Sequence, residues 1–248
     1  MPAKKSLSNL RFCGKYPGMT EQPATQSAVK LTSIQKLIGQ RMLESKRTKP
    51  CFYIELKADV TEMMALRPSL KKSLGFRITT SAFYIRTLSL AIKKYPLMLA
   101  RLTGDNIEIP DSINVGFAVS APQGLVVPVV KHADEKSLAE IARLEKNLTE
   151  VALSNRLTPQ DLDGQTIALS NLGPYGIDSF LAIVPPTTST ILAVGNVINE
   201  AVPINGKPAA RKLVSLSLAV DHRVINGDYA AQFLSFIKEL LQNPRQLI

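Results

Sequence analysis

The chain has very few residues of the types that mark metal centres, disulfide scaffolds or membrane spans. Its 248 residues include no tryptophan, two cysteines and two histidines. Cys13 and Cys51 are too few for a disulfide framework, and no zinc-ligand spacing is present. No run of about eighteen uncharged apolar residues occurs, so no membrane-spanning helix is predicted. The N-terminus lacks the apolar segment of a secretion signal. We therefore expect a protein of a reducing compartment, cytoplasmic or in an organelle matrix.

The positive charge is concentrated near the N-terminus. Thirty Lys and Arg face twenty Asp and Glu, a formal net charge of +10. Residues 1–50 hold ten of the basic and two of the acidic residues, so +8 belongs to this segment and +2 to the rest. No helix-turn-helix, zinc finger or aromatic-basic RNA motif accompanies this charge. We predict that residues 1–30, rich in Pro, Ser, Thr, Gln and Lys, form a basic flexible arm or linker, and nucleic acid is disfavoured as a partner.

Hydrophobic periodicity predicts interleaved helices and strands. Helices are predicted at 32–48, 61–74, 80–94, 137–151 and 229–241. Strands are predicted at 51–60, 113–120 and 124–130, and in the runs QTIALSN, STILAVGNVI and RKLVSLSLAVD. The segments 113–120 and 124–130 flank a turn and should form a hairpin or a paired ribbon. Because there is no strict βαβ rhythm, we predict an α/β (α+β) fold with a two-layer mixed sheet covered by helices.

Of the two histidines, His222 is the stronger candidate for chemistry. His132 lies in a polar connection just before a helix, which is typical of an exposed loop residue. His222 follows the apolar run LVSLSLAV and belongs to the polar cluster DHRVINGD before the last helix. Rigid scaffolds present reactive groups at such strand ends. Neither G-x-G-x-x-G nor a P-loop occurs, so nucleotide-binding chemistry has no sequence support.

The segment SLSLAVDHRVINGDYAAQFL resembles the signature of the dihydrolipoamide acyltransferases, the E2 cores of 2-oxo acid dehydrogenase complexes. Their motif is His-x-x-x-Asp-Gly, which here contains His222, Arg223, Asn226 and Gly227. Three further segments agree in order and spacing: LTSIQKLIGQRMLESKRTKPCFYIELKADV, INVGFAVSAPQGLVVPVV and IALSNLGPYGIDSFLAIVPPTTSTILAVG. The resemblance covers residues 31–248, the predicted acyltransferase catalytic domain, and is strongest to the acetyl (pyruvate) type. It implies a chloramphenicol-acetyltransferase-like fold.

The resemblance implies transfer of an acyl group, here acetyl, between a dihydrolipoyl thiol and CoA, with no metal. His222 would be the general base, because a thiol with a pKa near 8.5 must lose its proton before it attacks, whereas an imidazole near 6.5 can accept it. Ser170, in the segment IALSNLG, matches the family serine that stabilises the tetrahedral oxyanion. Asn226 completes the catalytic set, supported by Arg223 and Gly227. The residues that contact CoA are not identified.

Asn226 departs from the motif, which has aspartate at this position. In the family that aspartate has an orienting or ion-pairing role. Asparagine keeps one acceptor oxygen but loses the charge, so we expect reduced or retuned activity, and an arginine left without its partner unless it has found another acceptor. Two alternatives are that Asn226 caps the last helix, or that the chain is a non-catalytic structural or binding paralogue of the core.

The resemblance also implies partners. Family members are homotrimers in which His222 of one chain would face Ser170 of the next, and trimers can assemble into cubic or dodecahedral cages. No lipoyl or peripheral-subunit-binding domain is expected ahead of the core. The chain is then a core fragment, an enzyme whose lipoyl group is supplied in trans by another protein of a complex with E1- and E3-type components, or a stand-alone CoA-dependent acyltransferase with a small acceptor. The apolar C-terminal residues Leu240, Leu241, Leu247 and Ile248 either contact other subunits or pack within their own.

Overall fold

The computed structural model describes residues 30–248, so the predicted arm lies outside the described residues except for Lys30. The strands are β1 (Cys51–Asp59), β2 (Arg101–Thr103), β3 (Asn106–Glu108), β4 (Val115–Phe117), β5 (Val119–Ala121), β6 (Gly124–Val126), β7 (Val129–Val130), β8 (Ile167–Asn171), β9 (Thr190–Ile204) and β10 (Lys207–Asp221). Six of them form one sheet in the order β1-β10-β9-β8-β4-β7. The pairs β9-β8 and β8-β4 are parallel and the other three are antiparallel. The predicted mixed sheet is confirmed.

The helices are α1 (Ser33–Thr48), α2 (Thr61–Leu74), α3 (Thr80–Lys94), α4 (Leu138–Leu153), the single turn α5 (Pro159–Leu162) and α6 (Gly227–Gln242). All five predicted helices are confirmed. Thr32 and Ser137 begin α1 and α4 with capping boxes, and the Thr79 hydroxyl accepts from the Ala82 N–H at the start of α3. These side chains satisfy backbone N–H groups that have no partner within the helix. None of the described helices is both long and apolar enough to cross a bilayer.

The two faces of the sheet are covered differently. Helices α2, α3, α4 and α6 contribute to a large apolar core on one face, with α3 buried along most of its length. The predicted burial of α3 is thus confirmed. The other face carries a small cluster of alanines and branched residues, which Phe180 and Val184 of the 177–188 segment cover. Ser45 of α1 donates a hydrogen bond to the Val184 carbonyl, which attaches that helix to the same segment.

The ribbon predicted from 113–120 and 124–130 is divided between two sheets. Strands β4 and β7 pair within the main sheet, whereas β5 and β6 form a separate two-stranded sheet. The reason is local. The Ala118 N–H donates to the Leu169 carbonyl, on the β8 side of the chain, and Pro128 has no N–H with which to continue a ladder. The antiparallel direction was predicted correctly, but its continuity was not.

Besides the single turn α5, two features of the strands were not predicted. One is the small hairpin of β2 and β3. The other is the length of β9 and β10, which continue as a hairpin through Asn205 and Gly206, both at positive φ (50° and 76°). Pairing with β1 ends at Leu213 of β10, and pairing with β8 ends at Val194 of β9. Residues 199–212, called here the 199–212 ribbon, therefore extend beyond the strands that flank them in the described part of the chain.

The C-terminal residues pack mostly within their own subunit. Leu240, Leu241 and Leu247 are buried, whereas Ile248 is 59% exposed. Three of the four apolar C-terminal residues therefore pack within their own subunit, as one of the two alternatives proposed.

Candidate active site

His222 lies at the end of β10, where the chain turns toward α6. Its backbone N–H donates to the Pro50 carbonyl at 3.0 Å, which ties the turn to the start of β1. Its side chain is exposed, and the imidazole ring meets Phe52 edge to face, with ring centroids 5.2 Å apart. Because alternate residues of a strand point to opposite faces, the His222 ring lies with Phe52 on the helix-covered side of the sheet. The ring is thus oriented by packing and remains accessible.

Asp221 and Arg223 form an ion pair beside this histidine. Arg223 donates two hydrogen bonds to the buried Asp221 carboxylate, from Nε at 2.9 Å and from Nη2 at 2.6 Å. The Asp221 carbonyl accepts from the N–H groups of Val224 and Ile225, which closes the turn. The hydrogen bond from Arg223 to Asp221 raises the pKa of Arg223. Arg223, the motif arginine, therefore has Asp221 as its acceptor.

Asn226 is the N-cap residue of α6. Its Oδ1 accepts from the Tyr229 N–H at 3.3 Å, and its backbone is extended, as a cap requires. The helix-cap role considered from the sequence is thus present in the structure. Gly227 follows as the first helical residue, and a Cβ built there would lie 3.4 Å from the Phe52 ring. This cap explains why α6 begins two residues earlier than predicted.

Ser170 lies near the end of β8 and is half-buried. The following residue, Asn171, anchors the turn: its Nδ2 donates to the Ser81 hydroxyl at 3.1 Å, and its Oδ1 accepts from the Gly173 N–H at 3.0 Å. The segment after it crosses β9 closely at Gly195, where an added Cβ would meet the Asp178 carbonyl oxygen at 1.9 Å. Asn171 and Gly195 were not singled out from the sequence, because a backbone crossing leaves no periodic pattern.

One chain does not bring Ser170 and His222 together. Val220 pairs with Thr190 of β9, whereas Ser170 pairs with Ala193. Measured along β9, His222 lies two residues beyond Thr190 in one direction, and Ser170 lies three residues beyond Thr190 in the other direction. The two residues are therefore about 16 Å apart along the strands, at roughly 3.3 Å per residue. They are also two strands apart in the sheet. Within one chain these side chains lie toward opposite ends of the sheet.

Behind His222, on the other face of the sheet, is a polar pocket of about 240 Å³. We call it the Lys49 pocket, and its charged residues are Lys49, Arg101, Asp221 and Arg223. Sequence reasoning did not find it, because its residues come from distant segments and no motif joins them.

His132 lies exposed in a loop as predicted, with Nδ1 3.8 Å from Glu135. Residues 30–248 contain no cluster of three or more His, Cys, Asp or Glu that could hold a metal.

Comparison with known proteins identifies the class. The model of the 2-oxoacid dehydrogenases acyltransferase (catalytic domain) family matches residues 23–248, and the chain belongs to this family. It is 32% identical over 234 residues to the dihydrolipoyllysine-residue acetyltransferase component of the pyruvate dehydrogenase complex of Rickettsia felis, covering 93% of this chain and 57% of that protein. The chain thus spans little more than half the length of the curated relatives it matches.

Two solved structures share the fold. One, described as a study of the role of a serine, a histidine and an asparagine in the catalytic mechanism of Azotobacter vinelandii dihydrolipoamide acetyltransferase, has a TM-score of 0.86 at 29% identity, covering 90% of this chain and 93% of that chain. The other is the cubic core of a pyruvate dehydrogenase multienzyme complex, with a TM-score of 0.86 at 27% identity, covering 100% of this chain and 99% of that chain. The fold expected from the resemblance is confirmed.

Proposed function

We propose that this chain is an acyltransferase that moves an acetyl group between a dihydrolipoyl thiol and CoA. In this proposal His222 is the general base and Ser170 of a neighbouring copy stabilises the tetrahedral oxyanion. Membership of the acyltransferase family supports the reaction class. The acetyl group is supported by three Rickettsia relatives, which are acetyltransferase components of pyruvate dehydrogenase complexes.

The spacing of three residues carries the residue assignment. In the Azotobacter vinelandii acetyltransferase the catalytic study names a serine, a histidine and an asparagine. The same number of residues separates Ser170 from His222 in this chain, and Asn226 likewise follows His222 by four positions. An asparagine here therefore supports a site that works with asparagine, in addition to capping α6. The shared asparagine argues against the interpretation that this chain is an impaired member of the family.

The separation of Ser170 from His222 within one chain supports a site built by two copies. Donors that stabilise an oxyanion must lie within about 3 Å of it, while the base must reach the thiol attacking the same carbonyl. A separation of about 16 Å along the strands does not allow that. A second copy that brings its Ser170 to the exposed His222 ring meets the requirement. We extend the proposal to a homotrimer and a larger particle, because the fold matches the cubic core.

In the proposed reaction one thioester is exchanged for another, and His222 takes up and returns a single proton. The His222 imidazole takes the proton of the attacking thiol, and the thiolate adds to the thioester carbonyl carbon. The Ser170 hydroxyl donates a hydrogen bond to the resulting oxyanion. When the intermediate collapses, the carbon–sulfur bond of the original thioester breaks and the departing thiolate takes the proton back from the imidazolium. The T-shaped contact with the Phe52 ring orients the imidazole.

Acetyl transfer from acetyl-CoA to free dihydrolipoamide tests the proposal. His222→Ala should lower turnover by about 10²–10⁴ and Ser170→Ala by about 10²–10³, the usual costs of losing a general base and an oxyanion donor. His132→Ala is the matched control, since it removes the other histidine, and should leave turnover unchanged. No turnover by the folded wild-type trimer, unaffected by His222→Ala, would show a non-catalytic paralogue. Turnover by His222→Ala equal to that of wild type would show that His222 is not the general base.

Asn226→Asp separates the two roles of this position. An aspartate caps a helix as well as asparagine does, so stability should be preserved while the motif carboxylate is restored. If the site works with asparagine, turnover stays equal or falls. A strong rise in turnover would mean that Asn226 impairs the enzyme.

A further inference from the structure

The Lys49 pocket carries an excess of positive charge. Three cationic side chains, Lys49, Arg101 and Arg223, line it together with a single carboxylate, Asp221. Asp221 already accepts two hydrogen bonds from the Arg223 guanidinium and one from the Arg223 backbone N–H. The pocket therefore holds two positive charges that its own carboxylate does not balance. Uncompensated charge in a partly buried site is costly, so the arrangement favours a negatively charged occupant.

Lys49 supplies charge but no free donor. Its ammonium group donates to the carbonyls of Pro185 (2.8 Å), Pro186 (2.9 Å) and Thr188, which uses all three of its N–H groups. Burial lowers the pKa of Lys49, the Asp221 carboxylate offsets part of this, and the charges of Arg223 and Arg101 lower it further. Lys49 thus shapes the wall formed by residues 185–188 and adds positive potential there.

Two buried polar groups of the pocket have no partner among residues 30–248. They are the Nε of Arg101 and the hydroxyl of Thr188, a fully buried residue. A buried donor without an acceptor costs about 1–3 kcal/mol, so an occupant that accepts from it is favoured. An oxyanion in the pocket can accept from the Nη1 of Arg223, for which no bond to Asp221 is found, and from the Arg101 Nε and the Thr188 hydroxyl once these side chains turn toward it. The donors therefore match an oxygen-rich anion and do not match a cation.

The walls of the pocket are braced by Gln165. Its side-chain Nε2 donates to the Thr187 hydroxyl at 2.9 Å, and its backbone carbonyl accepts from Arg101 Nη2 at 3.0 Å. Arg101 is thereby held against the segment that carries Thr188. Since water occupies roughly 30 Å³, a pocket of about 240 Å³ accommodates a phosphate group and a few waters, but it lies below the ~300–1,000 Å³ of typical ligand cavities.

We propose that the Lys49 pocket is an anion-binding site that takes a phosphate group. It lies on the face of the sheet opposite the His222 ring, because Asp221 and Cys51 face the small alanine cluster whereas Phe52 faces the helices. The phosphate would therefore bind on the other side of the sheet from the thiol chemistry proposed for His222, although Asp221 and Arg223 flank this histidine in the chain. The phosphate can be inorganic or part of an ester such as CoA.

Calorimetry with inorganic phosphate on the assembled full chain tests the proposal without any turnover. Wild type should bind one phosphate per chain, saturably. Arg101→Met should weaken binding by about tenfold or more, since a hydrogen bond to a charged group is lost together with a charge. Arg101→Lys keeps the charge but loses the Nε donor, so its affinity for phosphate should lie between those of wild type and Arg101→Met. Thr188→Val, which keeps the shape but removes the hydroxyl, should weaken binding by about threefold.

Lys207→Met is the control variant, because it removes one positive charge at the exposed tip of the 199–212 ribbon. It should bind phosphate like wild type. Equal weakening by Lys207→Met and Arg101→Met would mean unspecific attraction and would overturn the proposal. So would the absence of saturable binding to wild type, the result expected if a carboxylate of a neighbouring copy fills the pocket. Unchanged binding by folded Thr188→Val and Arg101→Lys would overturn it as well.

Competition identifies the source of the phosphate. CoA, dephospho-CoA and pantetheine are titrated against bound inorganic phosphate. Displacement by CoA but not by dephospho-CoA assigns the pocket to the 3′-phosphate of CoA, and displacement by both assigns it to the pyrophosphate. Failure of all three to compete leaves free phosphate as the ligand. Displacement by pantetheine, which carries no phosphate, would contradict the proposal.

Discussion

Glu145 is a carboxylate buried in α4, where it is 7% exposed. Burial raises its pKa, and the hydrogen bond from the Thr79 hydroxyl at 3.0 Å offsets only part of that effect. A raised pKa means that the folded chain holds this proton more tightly than the unfolded chain. The contribution of Glu145 to stability is then fully present below the unfolded pKa of about 4.3 and is lost as pH rises through the folded pKa.

Glu145→Gln should therefore stabilise the protein at neutral and alkaline pH. The amide cannot ionise, and its oxygen can still accept from Thr79. We expect the free energy of unfolding in urea to rise by about 1 kcal/mol at pH 8, the usual size of a single substitution, and to be nearly unchanged at about pH 4. Glu150→Gln, at an exposed position of the same helix, is the control and should have little effect at either pH. A gain of equal size at both pH values would contradict the role of ionisation.

Tyr84 and Thr87 are a matched pair of buried hydroxyls on α3. The Thr87 hydroxyl donates to the Phe83 carbonyl at 2.8 Å, whereas the Tyr84 hydroxyl has no partner among the described residues. Removing a paired hydroxyl costs about 1 kcal/mol, but removing an unpaired one is neutral or stabilising. Thr87→Val should lower the free energy of unfolding and Tyr84→Phe should not. A loss in Tyr84→Phe as large as that in Thr87→Val would show that its hydroxyl is hydrogen-bonded in solution.

At the scale of elements, the crossing at Gly195 fixes the segment that follows β8. A Cβ there would clash with the Asp178 carbonyl group, and because the atoms it meets belong to the backbone of Ile177 and Asp178, no side chain can move aside to make room. Gly195→Ala should cost about 3 kcal/mol or more, in the range of severe core changes. Gly39, within α1, has nothing within 4 Å of an added Cβ, so Gly39→Ala should stabilise by about 0.5–1 kcal/mol. Thermal unfolding of both variants measures the two changes in stability. Equal changes in Gly195→Ala and Gly39→Ala would contradict the clash at Gly195.

The helices were predictable because each has a cap and an apolar face that are visible in a short window of sequence. Thr32 and Ser137 are followed by Gln and Glu at the third helical position, as in a capping box. The extension of β9 and β10 was not predicted, although Asn205-Gly206 is a strong hairpin signal, because the run between the two strands includes Pro203 and Pro208. His222 was singled out by its position after an apolar strand, and Ser170 was found through the resemblance. Arg101 and Thr188 could not be found in that way, since only the tertiary fold brings them together.

At the scale of the whole molecule, the proposed site requires residues from two chains, and subunit mixing tests this directly. Chains with His222→Ala and chains with Ser170→Ala are each inactive in the proposal, but a mixed trimer regains one site that takes His222 from one chain and Ser170 from the next. Random mixing in equal amounts makes about three quarters of the trimers mixed, so co-expression should restore about one quarter of wild-type turnover. No recovery in a mixed trimer would contradict a shared site.

The 199–212 ribbon has a consequence for how copies of this chain associate. It extends beyond its neighbouring strands, and such open strand edges can recruit further chains edge to edge. Pro203 and Pro208 pair across the ribbon, so each strand lacks a hydrogen-bond donor at the same level. Lys207, Arg211 and Lys212 add like charges along one strand. The ribbon is thereby protected against open-ended, amyloid-like growth, which is compatible with the closed trimer proposed above.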